Sequence, residues 1–134
     1  MTDPHNPSPG QRLIVALDFP SAVQADLLVD KLQGVVSFYK VGLELYTSIG
    51  PDYIRSLLDR GNQVFLDLKF YDIGETVRRA TRTAARLGAT FLTVHEAGRT
   101  ISAATLGCAG TDLKILAVTV LTSMGAERSE EHTS

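Results

Sequence analysis

Short apolar runs alternate along the chain with segments of helical periodicity. The first run, Leu13 to Leu17, is apolar at every position, which suits a parallel strand covered on both faces better than a half-exposed one. It stops at Asp18. Ser21 then predicts a helix N-cap with Gln24 placed for a capping box, and Val23, Leu27, Leu28 and Leu32 supply the buried stripe before Gly34. A second run, Val35 to Val41, ends near Lys40 and Gly42. The next helix is expected to open at Pro51, bury Ile54, Leu57 and Leu58, and end at Gly61. The third run, Val64 to Phe70, carries Asp67 and Lys69, and is followed by a helix whose Val77, Ala80, Ala84 and Leu87 keep a 3.6-residue period up to Gly88. Phe91 to Val94 forms the fourth run, ending at His95-Glu96. A weaker helix around Arg99 to Leu106 turns Ile101 and Ala104 inward, and a fifth run, Ile115 to Leu121, ends at Thr122-Ser123. Strands and helices in strict alternation, in βα units of roughly 25 residues, indicate right-handed crossovers and an all-parallel sheet.

Each run is apolar along its length and gains polar groups only at its C-terminal end: Asp18, Lys40, Asp67 with Lys69, His95 and Thr122. Ligands of open α/β sheets and of (β/α)₈ barrels bind at those carboxyl ends. The turn after the first run, Asp18-Phe19-Pro20-Ser21, lacks the glycines of a dinucleotide fold, which favours the barrel.

Composition narrows the classes without naming a function. The 134 residues are 44% hydrophobic, 7% aromatic and 21% charged, within the range of one globular domain and unlike disordered, collagenous or coiled-coil chains. Thirteen Lys+Arg against 15 Asp+Glu give a net charge of −2, so no global basic field favours nucleic acid or an anionic membrane. No apolar run approaches the ~20 residues that span a bilayer. The start, Met1 to Gly10, is polar and proline-rich without the apolar region of a secretory signal, and the lone Cys108 has no internal disulfide partner; a reducing cytoplasm is the expected compartment.

Asp67-Leu68-Lys69, followed by Asp72, stands out within the strand ends. Strict alternation puts Asp67 and Lys69 on one face of a strand, with Asp72 in the following loop. A structural ion pair would satisfy the same pattern. Lys40 on the neighbouring strand tips the balance, because two ammonium groups and two carboxylates form an alternating array that holds a lysine protonated as a general acid.

At these residues the sequence resembles a known family. Phe65 to Ile73, reading FLDLKFYDI, is similar to the signature of the bacterial branch of the orotidine 5′-phosphate decarboxylase family. Val15 to Asp18, Tyr39 to Gly42, Thr93 to His95 and Val118 to Ser123 follow as supporting blocks in the same order. The resemblance spans Leu13 to about Met124. It implies a (β/α)₈ (TIM) barrel, present here as about β1 to β5, and a carbon–carbon lyase acting on orotidine 5′-phosphate to give UMP and CO₂ in pyrimidine biosynthesis, without metal or cofactor. It further implies a homodimer with sites shared between subunits. By position, it makes Lys69 the proton donor, Asp67 the carboxylate facing the substrate's carboxylate, and Lys40 a ribose contact within the charge network. Asp72, Ile73 and Thr76 belong to the site across the dimer, Asp18 to the ribose and Thr122 to the pyrimidine edge. Gly74 stands where many relatives have proline. A Mg²⁺-dependent sugar-phosphate decarboxylase or aldolase of the same barrel group shares Asp-x-Lys-x-x-Asp and is the alternative, opposed by a cation at Lys40 where those relatives carry an acidic ligand.

Other residues take plainer readings. His95 is expected to be a hydrogen-bonded structural group, Arg78, Arg82 and Arg86 a solvated helix face, and Cys108 a packed thiol. A full barrel takes about 250 residues, and its phosphate grip comes from the loops after strands 7 and 8. The 134-residue chain is therefore expected to be a partial barrel, inactive alone, with open apolar edges at its first and fifth strands. Residues 1–11 are expected to be a flexible N-terminus and 12–125 the barrel half. Residues 126–134 are expected to be a disordered or non-native tail, because Arg128 to Ser134 resembles the in-frame translation of a sequencing-library adapter.

Overall fold

A computed structural model describes residues 6–119. Five strands, β1 (Val15–Ala16), β2 (Phe38–Gly42), β3 (Gln63–Phe70), β4 (Phe91–His95) and β5 (Lys114–Val118), pair in parallel in chain order. Four helices connect them: α1 (Ala22–Lys31), α2 (Leu43–Asp59), α3 (Gly74–Leu87) and α4 (Thr100–Cys108). This is the succession expected for the first five strands of a (β/α)₈ barrel.

The sheet's two faces are unequal. Leu17, Tyr39, Val41, Val64, Leu66, Leu92 and Val94 point to the helices and are fully buried against residues such as Ala25, Val29, Ile54, Leu57, Val77 and Ala104. On the other face the register aligns Ala16, Lys40, Phe65, Phe91 and Lys114. Phe91 stacks there on Phe38 and meets Phe65 edge-on, with centroids 5.6 and 5.8 Å apart. Continuous apolar runs suggested cover on both faces. Instead that second face is partly open, and β5 is largely exposed. β1 and β5 are the two edges of the sheet, as expected.

The helices depart from the periodicity in informative ways. Ser21 caps α1, its Oγ accepting from the Gln24 N–H at 3.4 Å, but only this half of the expected capping box forms. Val23 and Leu27, expected inside, are exposed. Ala25 and Val29 are buried instead, with Leu28 and Leu32 packed at the margin, so the buried stripe is rotated towards the smaller residues that let α1 approach the sheet. α2 begins at Leu43, eight residues before Pro51, and is broken at Gly50 (φ 65°, ψ −167°). That backbone is essentially restricted to glycine, and it restarts the helix at Pro51. In α4 the buried residues are Thr100, Ala103, Ala104 and Gly107, whereas Ile101 faces outward. β1 is shorter than its apolar run because Leu13 and Ile14 lie outside the ladder, although the Leu17 N–H still donates to the Lys40 carbonyl at 2.9 Å.

Two polar ties complete the frame. Tyr53 Oη donates to Asp26 Oδ1 at 2.6 Å, and Arg60 bridges Asp26 and Asp30 at 3.3 and 2.6 Å, clamping α1 to α2. Residues Pro9–Gln11, placed with the flexible N-terminus, form a 3₁₀ turn, and the Gly10 carbonyl accepts from the Ser37 N–H at 3.0 Å. Among the described residues no helix is long and apolar enough to cross a membrane.

Candidate active site

Of the polar strand ends named from the sequence, Lys40, Asp67 and Lys69 meet, around Asp67. This carboxylate, only 14% exposed, receives three partners: Lys69 Nζ at 2.9 Å and Thr93 Oγ1 at 2.8 Å on Oδ1, and Lys40 Nζ at 3.5 Å on Oδ2. Burial works to raise its pKa, but the hydrogen bonds from Lys69 and Thr93 and the charges of Lys69 and Lys40 outweigh it. Asp67 is thus held below the ordinary carboxylate range and stays ionised. A carboxylate held between two ammonium groups fixes where each ammonium sits, which suits a lysine that must carry a proton to a reacting atom.

Lys69 does not reach this position by simple alternation. Its backbone is left-handed, at φ 49°, the only non-glycine positive φ among the described residues, and the β3–β4 register shifts between Leu66 and Phe70. The strand bulges there. The Lys69 N–H then donates to Thr93 Oγ1 at 3.0 Å, and the same hydroxyl donates to Asp67. Thr93 is buried on β4 and was not among the expected site residues. Its signal in the sequence is a hydroxyl between the apolar Leu92 and Val94, one strand over from an Asp-x-Lys.

The remaining expected residues are spread around this centre. Asp18 follows β1 and lies beside Gly42, where an added Cβ would lie 3.7 Å from its Oδ1. Asp72 forms no ion pair within the described residues; its Oδ1 accepts from the Ile73 N–H at 2.7 Å, at the start of α3. Ile73 and Thr76 are exposed on that first turn. Thr122 lies outside the described residues, as does the segment 126–134. His95 Nδ1 accepts from the Ala97 N–H at 3.1 Å and its ring lies against Tyr71, with centroids 4.8 Å apart, a local structural role.

The arginines of α3 are also engaged locally. Arg78 grips Glu75 through two bonds, at 3.0 and 2.6 Å, and Arg82 donates to the Ala109 carbonyl at 3.2 Å. Cys108 packs with its Sγ 3.5 Å from the Thr105 carbonyl. Two clefts of about 460 Å³ lie elsewhere: one between α2 and α3, lined by Leu66, Leu68, Phe70 and Ala84, the other at the opposite end of the sheet beside Gly10, Ser37 and Asn62.

Residues 11–133 match the model of the Orotidine 5′-phosphate decarboxylase / HUMPS family. The chain belongs to this family. An orotidine 5′-phosphate decarboxylase from a Bradyrhizobium species is 50% identical over 116 residues, covering 87% of this chain and 48% of that protein. The one from Methylorubrum populi is 49% identical over 120 residues, covering 90% and 51%. Among solved structures, an uncharacterized conserved protein from Geobacillus kaustophilus superposes with a TM-score of 0.81 at 40% identity, covering 90% of this chain and 60% of that one. Orotidine 5′-phosphate decarboxylase from Lactobacillus acidophilus gives 0.79 at 38% identity, covering 90% and 58%. The chain spans about half the length of the curated relatives it matches. Its βα order is that of the first part of the family's TIM barrel.

Proposed function

We propose that the Lys40–Asp67–Lys69 array is the charged half of a decarboxylase site for orotidine 5′-phosphate, giving UMP and CO₂. The observation that carries the proposal is the carboxylate of Asp67 set between two ammonium groups at the C-terminal ends of β2 and β3. Loss of CO₂ leaves an electron pair on C6 in the plane of the pyrimidine, where the ring π system cannot take it up. Stabilisation therefore falls to a fixed cation close by and to binding energy on the rest of the nucleotide. Lys69 Nζ is that cation and delivers the proton that replaces CO₂. Asp67 fixes Lys69 and faces the departing carboxylate, Lys40 completes the network and contacts the ribose, and Asp18 holds a ribose hydroxyl. Thr122 meets the pyrimidine edge.

Asp72, Ile73 and Thr76 serve the site of a second subunit. In support, they stand exposed on one turn, and the same end of the sheet displays Leu43, Tyr71 and Ile73, each more than 60% exposed. Apolar groups grouped in this way favour a homodimer built over the strand ends. A Mg²⁺-dependent reaction of the same barrel group is disfavoured by Lys40 Nζ, which places positive charge 3.5 Å from the carboxylate such an ion would use.

The test is a chimera in which residues 11–119 replace the corresponding half of the Bradyrhizobium relative. It is expected to consume orotidine 5′-phosphate without added metal, and Lys69→Ala within it to lower turnover by roughly 10²–10⁴-fold. Retention of most of the activity by the Lys69→Ala chimera would refute the assignment.

A further inference from the structure

Lys69 holds an unfavourable backbone conformation where β3 bulges. The left-handed region is disfavoured for any residue with a Cβ, so something nearby must fix it. The neighbouring strand supplies a hydroxyl at this point. Thr93 is 6% exposed, and its single Oγ1 accepts from the Lys69 N–H at 3.0 Å while donating to Asp67 Oδ1 at 2.8 Å. A hydroxyl has one proton to give and lone pairs to accept with, so both bonds form at once without conflict. Their sense is fixed as well. An ionised Asp67 can only accept, which obliges Thr93 to donate to it and leaves a lone pair facing the Lys69 amide.

We propose that Thr93 is a positioning residue: its hydroxyl couples the bulged backbone at Lys69 to the carboxylate of Asp67, setting the distance between the two charged groups. The inference deepens the decarboxylase reading and rests on it for its catalytic meaning, but the coupling itself is a property of this chain. Without the hydroxyl, the Lys69 amide loses its acceptor, and Asp67 loses one of the two hydrogen bonds that oppose burial. The ammonium of Lys69 keeps its bond to Asp67, but the backbone and the carboxylate that together place it are no longer tied to each other. Valine keeps the branched shape and removes both bonds; serine keeps both bonds and removes a methyl group.

The experiment compares wild type, Thr93→Val and Thr93→Ser by nuclear magnetic resonance, reading amide exchange at Lys69 and the titration of the Asp67 side-chain carboxyl carbon. Thr93→Val is expected to speed exchange of the Lys69 amide about tenfold or more, the loss of one hydrogen bond, and to move the Asp67 titration upward. Thr93→Ser is expected to restore both towards wild type, whereas a purely steric role would make serine the worse replacement. If Thr93→Val leaves Lys69 exchange and Asp67 titration unchanged while the amide spectrum elsewhere stays native, the proposal is wrong. So it is if serine fails to rescue either one. Should Thr93→Val unfold the chain, the Ser variant alone decides, by keeping or losing wild-type values. Neither readout involves substrate, so failure of the decarboxylase reading would show separately, in the Lys69→Ala chimera.

Discussion

Lys69 Nζ lies 2.9 Å from Asp67 Oδ1 across a backbone that turns left-handed at Lys69 itself. The pair is therefore held by the fold around it, and its electrostatics should be visible in the stability of the protein. The Asp67 carboxyl is below its ordinary value in the folded state, because bonds from Lys69 and Thr93 and the charges of Lys69 and Lys40 overcome the opposing effect of burial. A carboxyl with a depressed folded pKa adds stability that is present above its unfolded pKa, near 4, and disappears as pH falls through the folded value. Urea midpoints measured from pH 6 downward are expected to decline below about pH 4, and Asp67→Asn is expected to flatten that decline. Parallel curves for the two proteins would show that Asp67 gains nothing on folding.

Thr81 predicts an effect of the opposite sign. It is fully buried on α3, and its Oγ1 has no hydrogen-bond partner among the described residues. An unpaired buried hydroxyl costs more than it contributes, and valine has the same shape. Thr81→Val is expected to raise unfolding stability by about 1 kcal/mol. A loss of that size, by urea denaturation, would place an undetected partner at the hydroxyl.

Much of the architecture was readable because apolar runs and helical periodicity report burial directly. Strand order, the β2 and β3 ends and the approach of Lys40 to Asp67 all follow from it. Three features were not readable, each for a physical reason. Val23 and Leu27 are as apolar as Val29, so the pattern could not show that the smaller Ala25 side chain allows the close approach and rotates the helix. Leu43 to Ile49 looks like a loop because a glycine and a proline follow it, yet it is helical up to the break at Gly50, after which the helix restarts at Pro51. Thr93 is invisible to alternation because its role depends on a bulge in another strand.

The contact between α3 and α4 sets a strict limit on residue size. Gly107 has no room for a side chain: an added Cβ would lie 2.5 Å from the Arg78 carbonyl oxygen and 2.8 Å from Thr81 Cβ. Backbone on one side and a buried branched side chain on the other leave no flexible group to move aside. Gly107→Ala is expected to destabilise the fold by about 1–3 kcal/mol, although alanine is the better helix former. If alanine at 107 proved neutral or stabilising in a urea titration, the two helices would have to stand further apart than they do here.

The strain at Lys69 can be isolated by a pair of variants that lose the same side chain. Lys69→Ala and Lys69→Gly both remove the ammonium and leave Asp67 with Lys40 and Thr93, so these losses cancel between them. What differs is the backbone. At φ 49° alanine pays for its Cβ on the order of 1–2 kcal/mol, while glycine pays roughly 0.4–1 kcal/mol for the freedom it gives up from the unfolded chain. Glycine is therefore expected to be the more stable of the two by roughly 0.5–1 kcal/mol. The same pair at Arg79, exposed on α3, should rank the other way, with alanine ahead by about 1 kcal/mol. This inversion is the discriminating result. If alanine also leads at position 69, the left-handed turn there relaxes once the lysine is gone, and the strain belongs to the charged side chain's reach for Asp67, not to the bulge that Thr93 holds.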